Sequence, residues 1–222
     1  NGTKLSKDFV AELVKHIPTG RFGVYLQYDG TEEAGQVDLR AGDFRQVREH
    51  ALSNLAEVGI PVALVMTVDH NNKFDCAQAI RKALSDDNIR WVVFQPETIT
   101  DRNDRETKIL QPPINVADII HSVNNDLGVG VLGLDDWMPL PCSHPNCGTI
   151  SFAIRLEGVW RPVSSIIDLR KLSPFVQDRM NLDVDDSVSK LSTDLVRTLS
   201  EAGRKDGCGC DDVTLKDLMK LF

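Results

Sequence analysis

The apolar run PVALVMTV at residues 61–68 restricts the fold of this chain more than any other feature of its sequence. Its residues show no alternation of polar and apolar side chains, and a second short run of this kind, RWVVFQ, occupies residues 90–95. Strands with this pattern are found where helices cover both faces of a sheet or where a barrel wall is buried. The two runs therefore predict an α/β fold with parallel strands.

Helical and strand periodicities alternate along the first part of the chain. Asn115 is a suitable N-cap for one of the helices. The charged segment at residues 97–113 ends in a Pro pair and predicts a long loop, and loops of that length often carry function. The predicted helices cover residues 5–17, 44–58, 76–84 and 116–124, and the predicted strands cover residues 22–27, 62–68 and 91–94.

A glycine-rich run, LGVGVLGLDD, follows at residues 127–136 and predicts a domain boundary. We assign one domain to residues 1–128 and a small α+β extension to residues 129–222. The extension is expected to hold a hairpin of residues 150–156 and 159–163 that turns at Glu157 and Gly158. Two further helices are predicted at residues 184–202 and 213–222.

Four of the five cysteines lie in two close pairs within the extension. Cys142 and Cys147 belong to PLPCSHPNCGT, whose prolines and glycine keep the backbone out of a helix, so that both thiols can face one point. Cys208 and Cys210 flank a single glycine, which lets both sulfurs turn toward one ion. The two pairs together predict a metal site with four thiolate ligands.

Zinc and an iron–sulfur cluster both suit four thiolates. The C-x4-C and C-x-C spacings depart from the C-x2-C knuckles of zinc ribbons, which favours a cluster slightly. His144, between the first two cysteines, could bind the metal, relay a proton or cap the backbone. Cys76, on a predicted helix, is expected to pack in the core.

Two interpretations without a metal stand beside this one. The four cysteines could be unpaired thiols, but loops rich in Gly, Asp and Pro are poor places to bury cysteine as an apolar side chain. A disulfide within C-x-C would close a strained ring that the cytosol would reduce. A long-range bridge from Cys142 or Cys147 to Cys208 is the remaining disulfide alternative.

The charge and the termini restrict the partners and the compartment. The formal net charge is −8 and no basic patch is present, which argues against a nucleic-acid partner. The first ten residues do not resemble a signal peptide, and no run approaches the ~18 apolar residues of a transmembrane helix. We therefore expect a soluble cytoplasmic protein, in which paired cysteines indicate metal or redox chemistry.

The phrase PCSHPNC, the hairpin after it and the later C-x-C resemble the radical SAM enzymes related to the archaeal pterin-methylating enzyme and to tetraether lipid synthase. The phrases VYLQYDGT, VALVMTVDHN and WVVFQPET are similar to the fourth, fifth and sixth core strands of that family, and Asn1-Gly2 to the end of the third. The similarity covers most of the chain, and PCSHPNC is its most specific part. It implies a partial (β/α) barrel of the radical SAM type, truncated at its N-terminal side, at residues 1–128.

One departure from the family is large. Its members hold the catalytic [4Fe-4S] cluster with a C-x3-C-x2-C motif, and these 222 residues contain no such motif. The resemblance therefore implies a fragment, a truncated gene or a degenerate relative, and we expect this chain alone to be inactive.

The resemblance also implies a set of residues near S-adenosylmethionine. Four of them stand at or after the carboxyl ends of strands, where a barrel places its chemistry, and Arg40, in DLRAGDF, is expected at the edge of the cofactor site. Each is equally compatible with an ordinary cap or turn. The residues are Gln27, Asp29, Arg40, Asn71 and Gln95.

For the complete enzyme, the resemblance implies radical C–H chemistry, either methylation or C–C bond formation, on a small-molecule or lipid substrate. The site of Cys142, Cys147, Cys208 and Cys210 would then hold an auxiliary [4Fe-4S] cluster. The alternative function is that of a non-catalytic, zinc-stabilised α/β binding domain. Because the preceding strands would be missing, we expect an exposed sheet edge at residues 22–27, covered by a missing N-terminal half or by an oligomer partner.

Overall fold

The computed structural model describes residues 1–98, 112–127, 132–139, 148–156 and 158–165. The chain divides into two compact units, Asn1–Leu127 and Gly128–Phe222. The predicted helices at residues 184–202 and 213–222 lie outside the described residues, as does most of the predicted loop at 97–113.

The first unit is built on a sheet of three strands in the order β1-β2-β3. Both strand pairs are parallel, as the apolar runs predicted. Each strand is followed by at least one helix. The strands are β1 (Val24–Gln27), β2 (Val62–Val68) and β3 (Ile89–Pro96), and the helices are α1 (Lys7–His16), α2 (Glu33–Arg40), α3 (Arg45–Glu57), α4 (Cys76–Ser85) and α5 (Val116–Leu127), with a 3-10 turn at Lys73–Asp75.

The two faces of this sheet differ in burial on its outer strands, β1 and β3, whereas β2 is buried on both faces. Leu26, Leu64 and Met66 point to one face and are at most 1% exposed, because α4 packs on β2 and β3 there and α3 lies close to Leu26. Tyr25 and Trp91 point to the opposite face and are 74% and 55% exposed. Helices therefore cover one face of the described sheet, while the other presents aromatic side chains to solvent.

Three local features of the first unit bear on the sequence expectations, and two of them differ from those expectations. Helix α2 was not predicted, because it carries a glycine and shows no clear apolar stripe. Asn1 and Gly2 form no strand, since Gly2 has a left-handed φ of 84°. The predicted cap of α5 is confirmed: the Asp118 N–H donates to Asn115 Oδ1 at 3.1 Å, and the Asn115 N–H donates to the Asp118 carboxylate at 3.0 Å.

The described part of the second unit contains two short antiparallel pairs. The predicted hairpin is confirmed as β6 (Ala153–Leu156) paired with β7 (Val159–Pro162). Gly158 between these strands has a φ of 80°. A 3-10 turn before β4 is held by Asp136, which accepts from the hydroxyl of Ser164 in a second 3-10 turn. The elements are Leu134–Asp136, β4 (Met138–Pro139), β5 (Thr149–Ile150), β6 (Ala153–Leu156), β7 (Val159–Pro162) and Val163–Ser165.

Of the helices in the described ranges, none combines the length and the apolar character that a membrane crossing requires.

Candidate ligand-binding site

A buried carboxylate lies just beyond the carboxyl end of β1. Asp29 is fully buried and adopts a left-handed φ of 57°, and Gly30 after it has a φ of 103°. This pair of left-handed residues turns the chain sharply, so that the Asp29 side chain lies beside the end of β2. The main-chain N–H of Thr67 donates to Asp29 Oδ1 at 3.0 Å.

Arg40, at the end of α2, forms a two-pronged ion pair with Asp29. Its Nε lies 2.7 Å from Asp29 Oδ2 and its Nη2 lies 3.1 Å from Oδ1. The same Nη2 donates to Thr67 Oγ1 at 3.0 Å, and Gln27 Nε2 donates to Asp29 Oδ1. The Arg40 side chain is 33% exposed, so this guanidinium contacts Asp29 and Thr67 on one side and solvent on the other.

A second arginine reaches the same carboxylate from the interior. Arg48, on α3, is 1% exposed, and its Nη2 lies 3.1 Å from Asp29 Oδ2. Its Nη1 donates to the main-chain oxygen of Tyr28 and to Gln36 Oε1. We refer to Gln27, Asp29, Arg40, Arg48 and Thr67 as the Asp29 cluster.

The charge state of Asp29 follows from these contacts. Burial is the largest single influence and would raise its pKa, but hydrogen bonds from Arg40, the Thr67 N–H and Gln27 together lower the pKa below its ordinary value. Burial lowers the pKa of Arg48, because it disfavours the charged form, and the Asp29 charge partly offsets this effect. The cluster is therefore a carboxylate shared by two guanidinium groups.

The structure brings together three of the five residues that the sequence singled out, Gln27, Asp29 and Arg40. Gln95 is exposed and pairs in register with Thr67 on the neighbouring strand, so it stands beside the cluster. Asn71 is an exposed residue of the loop after β2, and its N–H donates to Asp69 Oδ1 at 2.9 Å.

The adjacent Asn72 connects that loop to the cluster. It is 2% exposed, and its Nδ2 donates to the main-chain oxygens of Thr67 at 2.8 Å and of Asp29 at 3.4 Å. Its side-chain oxygen accepts from the Asp69 N–H at 2.9 Å. Asn72 therefore holds the ends of β1 and β2 together beneath the polar rim.

Sequence reasoning missed Arg48, Thr67 and Asn72. Thr67 is a polar residue near the end of an apolar strand, which is a usable signal. Arg48 shares the buried stripe of α3 with Ala51, Leu52 and Leu55, at the i, i+3, i+4 and i+7 spacing. A charged residue on that stripe is a second signal for a buried functional contact.

An apolar surface, buried at Val65 and Ala63 and exposed at two aromatic rings, adjoins the polar rim. Gln27, Thr67 and Gln95 form the rim at the carboxyl end of the sheet, and Val65 and Val93 lie below it on the same face. The exposed rings of Tyr25 and Trp91 flank Ala63 further down. The site thus combines fixed polar donors with an apolar wall, the usual make-up of a small-molecule site.

The predicted metal ligands Cys142, Cys147, Cys208 and Cys210, with His144, lie outside the described residues. Within the residues that are described, no group of three or more His, Cys, Asp or Glu side chains is placed to hold a metal ion. Cys76 is fully buried, which confirms its predicted packing role, and burial raises the pKa of its thiol to about 12.

No family model matches the chain. The chain is 25% identical over 229 aligned residues to a Methanocaldococcus jannaschii protein named 7,8-dihydro-6-hydroxymethylpterin dimethyltransferase. The alignment covers 92% of this chain and 44% of that protein, so the chain spans less than half the length of this relative. The predicted likeness to a pterin-methylating enzyme is thus found at a distance, whereas the likeness to tetraether lipid synthase stays a prediction.

Proposed function

We propose that this chain is part of a radical SAM enzyme that carries out methylation or C–C bond formation on a small molecule, and that the Asp29 cluster holds S-adenosylmethionine. Similarity to a pterin dimethyltransferase along 92% of the chain is the observation that carries the proposal. A pterin is accordingly the first substrate class to test. The cytoplasmic location inferred from the sequence belongs to the same proposal.

The architecture of the first unit supports a partial barrel. Its strands are parallel and follow one another in sequential order, and the helices cover one face of the described sheet. Right-handed crossovers between sequential parallel strands place their helices on one side, as in a barrel wall. The polar rim at the carboxyl ends of β1 to β3 then occupies the position where barrels carry their chemistry.

The donor groups at this rim suit the amino-acid end of S-adenosylmethionine. The exposed side of the Arg40 guanidinium offers N–H donors to a carboxylate, and the amide of Gln95 offers both a donor and an acceptor. The exposed rings of Tyr25 and Trp91 on the same face could cover the adenosine and substrate rings. Hydrogen abstraction from a poorly activated C–H bond is the chemistry that the cofactor and a reduced cluster supply in the family.

The protein's own contribution would be orientation. Asp29 and Thr67 hold Arg40 in one position, so an anionic group is bound without reordering the side chain. The auxiliary cluster of Cys142, Cys147, Cys208 and Cys210 remains part of the proposal. Its role as an electron carrier, a substrate contact or a structural staple is left open by the sequence.

Binding of S-adenosylmethionine to protein purified without oxygen tests the site. We expect Arg40→Gln to weaken binding by about tenfold to a hundredfold, the range for loss of one charge-assisted contact. Arg45→Gln is the matched control, because Arg45 is paired with Asp43 at the surface. Equal affinity in the wild type and both variants would place the cofactor elsewhere.

The second candidate function is a zinc-stabilised binding domain without catalysis. It is compatible with the four predicted cysteine ligands, which suit zinc as well as a cluster. The two candidates differ in metal: the first requires iron with sulfide, and the second requires zinc alone.

A further inference from the structure

We infer that Arg48 is a positioning residue for the ligand-binding site, acting through Asp29 to keep Arg40 fixed and the Asp29 cluster net positive for an anionic ligand group. The inference rests on the proposed function and adds to it a residue that has no exposed surface with which to touch a ligand. At 1% exposure, Arg48 can influence the site only through its neighbours.

Burial of Arg48 is difficult to explain as a contribution to stability. Taking a guanidinium out of water costs several kcal/mol, and apolar residues of similar volume often serve equally well. The Nε of Arg48 also has no hydrogen-bond partner in the structure, so the group is not even fully satisfied. A buried donor without a partner lowers stability. The position is therefore better explained by what the charge does at the cluster.

The geometry shows how Arg48 fixes the turn that carries Asp29. Its guanidinium joins α3 to the main chain at Tyr28 and, through Gln36, to α2. Gln36 Nε2 in turn donates to the oxygens of Tyr28 at 2.8 Å and Gly30 at 2.9 Å. Both sides of the left-handed turn are thus held, and the Asp29 carboxylate can meet Arg40 in only one orientation.

The charges show a second effect. Asp29 is shared between two guanidinium groups, so the three side chains together keep one unit of positive charge. If Arg40 alone paired with Asp29, the pair would be neutral and would attract an anion far less. Of the other carboxylates nearby, Asp43 is paired with Arg45. Asp75 accepts from the uncharged donors Thr31 and the Glu32 N–H, and it is common to both arrangements compared.

Replacement of Arg48 by Met tests this inference, because Asp29 keeps Arg40 as a partner and no buried charge is left alone. Affinities for two probes are measured by equilibrium dialysis without oxygen. S-adenosylmethionine carries the carboxylate, whereas 5′-deoxy-5′-methylthioadenosine lacks it. We expect Arg48→Met to weaken S-adenosylmethionine binding by about tenfold and methylthioadenosine binding by no more than about twofold. Arg45→Met is the matched control and should change neither affinity.

Equal losses for both probes, with a lowered thermal midpoint, would show a merely structural role and overturn the inference, as would unchanged affinities in Arg48→Met. A wild-type protein that binds neither probe would refute the proposed function, and this inference with it. If Arg48→Met does not fold, Arg48→Lys decides, since it keeps the charge but lacks the planar fork. A loss of a few-fold confined to S-adenosylmethionine supports the inference, and equal losses overturn it.

Discussion

The carboxylate of Asp29 is fully buried, while the guanidinium of Arg40 that it holds at 2.7 Å is one-third exposed. The exposed partner of this ion pair faces the open side of the sheet, and the buried partner is tied to Arg48 and Thr67. Such an arrangement separates two tasks: Asp29 fixes the geometry, and Arg40 meets the ligand.

Asp29→Asn should destabilise the protein strongly. The substitution leaves Arg48 buried without a counter-charge, and loss of one partner from a buried ion pair costs about 3–5 kcal/mol. Urea unfolding monitored by circular dichroism measures this change. Asp43→Asn is the control, because Asp43 pairs with Arg45 at the surface, and it should change stability much less. Similar losses of unfolding free energy in both variants would contradict the conclusion that Asp29 compensates the buried charge of Arg48.

Stability should also depend on pH through Asp29. Its pKa is lowered in the folded protein, so the folded state favours the carboxylate more than the unfolded chain does. The stabilisation is therefore complete above the ordinary aspartate pKa of about 4 and is lost as the pH falls through the lower folded value. Unfolding free energies measured from pH 6 downward should fall less steeply in Asp29→Asn than in the wild type. Parallel profiles would be inconsistent with this linkage.

Gly30→Ala should be among the most disruptive single-methyl changes in the first unit. Gly30 has a φ of 103°, and a Cβ there would lie 2.5 Å from Asp75 Oδ2 and 3.0 Å from its Cβ. The strained backbone and the clash together should cost about 3 kcal/mol or more. Gly59 also has a positive φ, 71°, but open space around it, so Gly59→Ala should cost only about 1–2 kcal/mol. Equal thermal midpoints for the two variants would show that Asp75 does not confine this turn.

Cys76 should resist thiol reagents while the protein is folded. Its thiol is fully buried, and burial together with the Asp75 charge raises its pKa to about 12, so almost no thiolate forms at pH 8. Alkylation by iodoacetamide, located by mass spectrometry, should spare Cys76 until denaturant is added. Rapid modification in the native protein would mean that this part of the unit opens readily.

The fold was predictable where the pattern is strong and local. β2 was predicted with its observed bounds, because a seven-residue segment with a single polar residue, Thr67, near its end is a clear strand signal. Helix α2 was missed because it shows no clear apolar stripe. It carries Gln36 and Arg40 to the strand ends, and such contacts are set by tertiary packing rather than by periodicity. Arg48 was not singled out from the sequence either, because its partner Asp29 lies 19 positions away.

Prediction of the site residues was limited in a different way. Gln27 and Asp29 were implied by the resemblance to the radical SAM family, and their positions after a strand agree with where a barrel carries its chemistry. No sequence pattern reveals that Asn72 is buried and joins two strands, whereas its neighbour Asn71 is exposed. The choice between these two asparagines depends on the turn made by Asp69.

The most direct test measures iron, acid-labile sulfide and zinc in the wild type and in Cys142→Ala, both purified without oxygen. It decides whether the chain is part of an iron–sulfur enzyme or a zinc-stabilised domain. We predict iron with matching sulfide in the wild type and loss of both in the variant, since four thiolates from Cys142, Cys147, Cys208 and Cys210 would hold the cluster. Stoichiometric zinc without sulfide would contradict the cluster and favour the zinc-stabilised domain, and no metal at all would contradict the four-cysteine site.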